Sequence, residues 1–140
     1  MANIFITGAK SFVGKKLIKY LSHTDHNLIS IDIISKEVED HYINADICDP
    51  NIGDLIPENS IIIHLAAISK PSICQDNPKL AFDINVNGTI NLFEASIKRN
   101  AKNFIFSSSE WVYDKKLKDN KLFNEDSLID ISNLDSVLPF

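Results

Sequence analysis

Arginine is nearly missing from this chain. Arg99 is the only one in 140 residues, and 14 basic side chains face 19 acidic ones for a net charge of −5. Gripping nucleic acid takes a basic face that displaces phosphate counterions, so that class of partner is set aside. Cysteine is scarce as well. Cys48 and Cys74 stand alone without metal-motif spacing, which excludes a disulfide scaffold and fits reduced thiols. No apolar run approaches the roughly 20 residues that cross a bilayer, and Met1-Ala2-Asn3-Ile4 lacks the basic start of a signal peptide. What is present is globular matter, 44% hydrophobic and 24% charged, in a length that suits one compact domain. The expectation is a soluble cytoplasmic domain with neither a nucleic-acid nor a membrane partner.

Short apolar strands alternate with helical stretches. Asn3–Thr7 predicts a strand stopped by Gly8, and Phe12–Leu21 a helix with Phe12, Val13, Leu17, Ile18 and Leu21 on one face. Leu28–Ile33 and His41–Ala45 predict the next two strands, and Pro50–Ile56 a brief helix. Ser60–Ala67 holds three consecutive isoleucines, the mark of a strand buried on both faces. Lys79–Lys98 predicts one long helix, weakened at Gly88, and Phe104–Ser107 a fifth strand. Beyond Val112 the pattern fades into a lysine-rich solvated stretch, Lys115 to Lys121, and a tail without period. Five strands alternating with helices predict an α/β, doubly wound parallel sheet of the Rossmann type.

The first strand runs into Thr7-Gly8-Ala9-Lys10-Ser11-Phe12-Val13-Gly14, directly before a helix. A diphosphate needs such a turn, with bare backbone N–H groups and a helix N-terminus aimed at it. Gly8 suits the turn and Gly14 the close packing of helix on strand. Ser11 replaces the middle glycine of the usual fingerprint, narrowing the phosphate approach while offering a helix cap. Asp32 ends the second strand, a little over 20 residues past Gly8, where a carboxylate accepts both adenosine ribose hydroxyls. It would repel a 2′-phosphate, so NAD(H) is expected over NADP(H). His64, on an apolar strand, is expected to be a core histidine with its hydrogen bonds satisfied. His23 and His26 are expected to lie in a loop and to hold no metal.

Five blocks in order resemble the extended short-chain dehydrogenase/reductases, the NAD-dependent epimerase/dehydratase family of nucleotide-sugar enzymes. Thr7–Gly14 is similar to that family's TGxxGxxG apart from Ser11, and Asp46-Ile47 to its adenine-contacting pair. His64-Leu65-Ala66-Ala67 is similar to its HLAA strand end, and Asn85-Val86-Asn87-Gly88-Thr89 to its NVxGT stretch, whose first Asn braces the active-site strand. Asn103 to Ser109, then Val112-Tyr113, resembles the strand bearing the catalytic serine, which by that match is Ser109. The resemblance implies NAD as cofactor. It places Gly8, Ser11, Phe12, Val13 and Gly14 at the diphosphate, Asp32 at the ribose, Asp46 and Ile47 at the adenine, and Leu65, Ala66, Ala67 and Asn85 along the nicotinamide side. It also implies a UDP-, dTDP- or GDP-linked sugar as partner, with a homodimer among the expected states.

The family's base is a tyrosine four residues before a lysine. Here Tyr20, Tyr42 and Tyr113 are followed four places on by Thr24, Asp46 and Leu117, so no YxxxK exists in the 140 residues. Counting from Ser109 and Asn124–Ser127, the pair should fall near Leu134 and Leu138, neither of which exchanges a proton. Residues 1–127 are therefore expected to form the NAD-binding domain, with 128–140 a tail departing from the family. A truncated, catalytically incomplete enzyme and a short non-catalytic dinucleotide-binding module, sensing NAD or holding a protein partner, are the two expectations. The abrupt loss of pattern favours the first.

Overall fold

The structure, a computed structural model, describes residues 1–33, 42–109 and 124–127. The expectations for 115–121, for 128–140 and for the Val112-Tyr113 pair lie outside them. Met1–Phe106 forms one compact unit and Ser107–Pro139 another.

In the first unit, β1 (Asn3–Thr7), β2 (Asn27–Asp32), β3 (Ile43–Asn44), β4 (Ile61–His64) and β5 (Asn103–Phe106) form one parallel sheet in the order β3-β2-β1-β4-β5. β1 is central because its side chains suit no other place: Ile4, Phe5, Ile6 and Thr7 are all buried. Its register sets Phe5 beside Ile29 of β2 and Ile62 of β4. The chain leaves β1 toward β2 on one side and returns to β4 on the other. A crevice therefore opens at the carboxyl ends of β1 and β4, the position where open α/β sheets bind ligands.

Helix α1 (Phe12–Leu21) follows β1, its start set by the Ser11 hydroxyl, which accepts the Gly14 N–H at 3.0 Å. Two short helices, α2 (Pro71–Asp76) and α3 (Pro78–Phe82), each open on a proline whose missing N–H costs nothing there. A six-residue π turn, Asp83–Gly88, then joins α3 to α4 (Thr89–Lys98). The single helix expected over Lys79–Lys98 is thus two helices with a wide turn between them. Leu92 and Ala95 of α4 pack with Phe5, Ile31 and Ile62 of the sheet and with Ile52 and Ile56 around a 3₁₀ turn at Ile52–Leu55.

Other expectations shift as well. β2 stops at Asp32, leaving Ile33 outside and 60% exposed. β3 has two residues, which pair with Ile31 and Asp32 at the end of β2. The strand expected over Ser60–Ala67 ends at His64, where the Leu65 N–H turns back to the Thr7 carbonyl at 3.2 Å. In the second unit, Asn124–Ser127 forms a turn closed by the Ser127 N–H on the Asn124 carbonyl.

Candidate functional site

At the end of β1 the backbone turns through Gly8 at φ +67°, and a Cβ there would lie 2.6 Å from the backbone of Leu65 and Ala66. Only glycine fits between β1 and the chain leaving β4. Gly14 is held as closely: its Cβ would fall 2.7 Å from the Ala9 carbonyl oxygen, so the first turn of α1 sits directly on the loop.

The amides of this loop divide cleanly. Ala9 N–H bonds the Ile31 carbonyl at 3.1 Å, Lys10 N–H the Asp32 Oδ2 at 2.7 Å, and Ser11 N–H the Gly8 carbonyl at 3.0 Å. Gly14 N–H is taken by Ser11. Among the described residues no acceptor reaches the N–H groups of Phe12 and Val13. Two unsatisfied amides at the positive end of a helix are a ready site for an anion. Ser11 spends its hydroxyl on capping and leaves both free.

Asp32 comes to the loop itself. One carboxylate oxygen is tied to Lys10, and no donor among the described residues reaches the other, which is available to a hydroxyl. Between loop and carboxylate lies a cleft of about 340 Å³ lined by Gly8, Ser11, Asp32, Ile47, Leu65, Ala66 and Ala67. These seven are sequence-expected site residues brought together. The cleft is further lined by Thr7, Lys10, Ile31, Ile33, Ala45, Ile68 and Ile84, which sequence reasoning did not single out. Phe12, Val13, Gly14, Asp46 and Asn85 do not line it. Phe12 and Val13 carry exposed side chains and contribute backbone alone. Asp46 is exposed, and its Oδ1 accepts the Cys48 N–H at 2.8 Å. Ser109 is exposed and belongs to the second unit.

Asn85, in the π turn, clamps the loop after β4. Its Oδ1 accepts the Ile68 N–H at 2.8 Å and its Nδ2 donates to the Ile68 carbonyl at 3.0 Å. The same wall is fixed from below by a buried relay whose proton positions can be assigned. Thr89 donates its hydroxyl to the Asn85 carbonyl at 2.7 Å, so at 2.9 Å it accepts from His64 Nε2. His64 Nδ1 is then the unprotonated nitrogen and accepts from the Thr7 hydroxyl at 2.7 Å. Thr7 Oγ1 in turn accepts the N–H groups of Leu65 and Ala66 at 3.3 and 3.2 Å. His64 is 1% exposed, between Phe104 and Phe106, and burial pushes its pKa down from 6.5 to about 4. The expected satisfied core histidine is what the structure contains, with an added role in setting the cleft wall.

A parallel sheet with a glycine turn, a bare helix start and a facing carboxylate at its switch point defines a dinucleotide-binding Rossmann-type domain. The family model described as the NAD dependent epimerase/dehydratase family matches residues 4–131, and the chain belongs to that family. It is 30% identical over 131 residues to the bifunctional UDP-glucose 4-epimerase and UDP-xylose 4-epimerase 3 of Arabidopsis thaliana, covering 79% of this chain and 37% of that protein. A putative UDP-glucose 4-epimerase of Methanocaldococcus jannaschii is 29% identical, with 76% and 37% covered. Among solved structures, the UDP-glucose 4-epimerase of Thermotoga maritima with UDP-glucose superposes with a TM-score of 0.68 at 29% identity, over 76% of this chain and 38% of that one. The UDP-glucose 4-epimerase of Stenotrophomonas maltophila, solved with bound NAD, reaches a TM-score of 0.80 at 23% identity, over 93% and 43%, and shares the fold. The chain thus spans well under half the length of these relatives.

Proposed function

We propose that this chain is the NAD(H)-binding portion of a nucleotide-sugar epimerase, dehydratase or reductase, and that these 140 residues bind NAD without completing sugar chemistry. The observation that carries the reading is the pairing of two free amides, at Phe12 and Val13, with the Asp32 carboxylate beside the same turn. The amides hold the diphosphate, and the untied oxygen of Asp32 takes an adenosine ribose hydroxyl. That carboxylate opposes a 2′-phosphate, which sets the preference for NAD over NADP. Gly8 keeps the backbone low enough for the pyrophosphate to approach, while Leu65–Ile68, braced by Asn85 and the His64 relay, line the nicotinamide half.

NAD, when bound, supplies a hydride acceptor and donor. The sugar's hydroxyl proton must go to a base, and none of the three tyrosines has a lysine four residues on. Ser109 is the one family catalytic residue with a counterpart here, and it would hold a substrate oxygen. The same missing pair favours a second reading, a non-catalytic dinucleotide-binding module that senses NAD or serves a protein partner. Residues 1–127 as the NAD-binding domain are supported by the family match over 4–131. The UDP-sugars named for the relatives support a UDP-linked sugar as the substrate of the active members.

Calorimetric titration tests the proposal. NAD is expected to bind at least about tenfold more tightly than NADP. Asp32→Ala should weaken NAD by about tenfold and narrow that preference, as expected for losing a charge-assisted hydrogen bond. No conversion of UDP-glucose or a dTDP-sugar should accompany binding. A chain that takes up no NAD overturns the proposal; turnover overturns its catalytic half.

A further inference from the structure

We propose that Asn91, in the first turn of α4, is a positioning residue for the nucleobase end of the cleft. This rests on the NAD reading above. With the diphosphate on the Phe12 and Val13 amides and the ribose at Asp32, the attached base lies beyond Asp32, where Ile33, Ala45 and Ile47 line the cleft. The other half of the dinucleotide runs the opposite way, along Leu65–Ile68.

The base-side wall has little to stiffen it. β3 contributes two residues, and the chain then leaves the sheet as a loop with Asp46, Cys48 and Asp49 exposed. The loop's own bonds are local: Cys48 N–H to Asp46 Oδ1 at 2.8 Å, Asp49 N–H to the Asp46 carbonyl at 3.1 Å, and Asn51 N–H to Asp49 Oδ1 at 2.8 Å. They shape the loop; among the described residues, the only bonds from it to distant elements, besides those of Asn91, are Ala45 N–H to the Asp32 carbonyl at 3.1 Å, at its start, and a long thiol contact from Cys48 Sγ to the Asp83 carbonyl at 3.7 Å.

Asn91 supplies the two short bonds that tie the middle of the loop to α4. Its Nδ2 donates to the Ile47 carbonyl at 2.7 Å and to the Asp49 carbonyl at 2.8 Å, more than 40 residues back in the chain, so both amide protons serve one loop. Beside it, Gly88 lets the helix press on that loop: a Cβ there would meet Ile47 at 2.9 Å and Cys48 Sγ at 3.0 Å. Ile47 is 4% exposed, fixed from the helix side by Asn91 and Gly88 while its other side lines the cleft. Removing the carboxamide takes the Asn91 donor from the Ile47 carbonyl, while the Asp49 carbonyl keeps the Ile52 N–H at 3.0 Å. The Asp49 carbonyl stays paired and belongs to an exposed residue that water can reach, so the fold survives while the wall loosens.

The test separates the two halves of the ligand. The 140-residue chain and its Asn91→Ala variant are titrated with NAD, AMP and nicotinamide mononucleotide. NAD and AMP affinities should fall together by about tenfold, while the mononucleotide affinity stays within about twofold. A general loosening of the fold would weaken all three alike, and that result, or no loss for AMP, overturns the inference. If Asn91→Ala fails to fold, Asn91→Ser carries the same comparison. Wild-type chain that binds neither NAD nor AMP overturns the NAD reading and this inference together. Wild-type binding with an unmoved AMP affinity in the variant overturns the inference alone.

Discussion

Gly8→Ala is expected to lose about 4 kcal/mol of folding stability and all measurable NAD binding. Two costs add. At φ +67° an L side chain occupies the left-handed region, worth about 1–2 kcal/mol. The new methyl also has to displace backbone rather than the end of a flexible side chain, since Leu65 and Ala66 main-chain atoms lie 2.6 Å from its position. Moving that backbone strains the Thr7 bonds to Leu65 and Ala66 and pushes apart the two strands that frame the cleft. Against a total of about 5–15 kcal/mol for a typical domain, this is a large fraction. Urea unfolding read by circular dichroism, with NAD titration on the same preparation, checks it. A midpoint within about 1 kcal/mol of wild type, with NAD still bound, would mean that the turn relaxes freely.

The second large effect is acid sensitivity centred on His64. Burial lowers its folded-state pKa from 6.5 to about 4. As pH falls, the unfolded chain therefore takes up the proton first, and the native state is left behind. The stabilisation is fully present above pH 6.5 and is lost progressively as pH falls toward 4, up to about 3 kcal/mol. The geometry gives the reason. Nδ1 already accepts the Thr7 hydroxyl, and a proton there would force that hydroxyl to accept while it also receives two backbone N–H groups. Phe104 and Phe106 pack against the ring and offer no charge to stabilise a cation. Carboxylates titrate in the same range, so the measurement is a difference. His64→Gln keeps a donor and an acceptor but does not titrate, and its urea midpoint should fall less steeply than wild type between pH 6.5 and 4. Parallel curves would overturn the assignment.

How far the sequence discloses this molecule depends on whether a feature is written locally. β1 and α1 come out with the ends that periodicity indicates, because Gly8 stops one and Ser11 starts the other within a few residues. The order of strands and their parallel pairing follow from alternation and handedness. The π turn was hidden because Leu80, Ile84, Leu92 and Ile97 satisfy a helical period through it, and α2 because six residues carry too little pattern. Gly88, seen in the sequence as a helix weakness, owes its place to Ile47 lying against the helix. At the site, Gly8, Ser11 and Asp32 were legible because the diphosphate fingerprint is a contiguous motif. Thr89 and Asn91 were not. Their partners lie 25 and more than 40 residues away, and a threonine or asparagine near a helix start has many commoner uses.

The π turn also implies a conflict between local regularity and the ligand crevice. It accommodates its residues by widening, and each residue of a regular helix turns the chain by about 100°. Deleting a single position between Asp83 and Gly88 would give a straighter, more uniform rod. The same deletion would swing Asn85 and Asn91 out of phase with each other, so that one side of the crevice lost its strut whenever the other kept it.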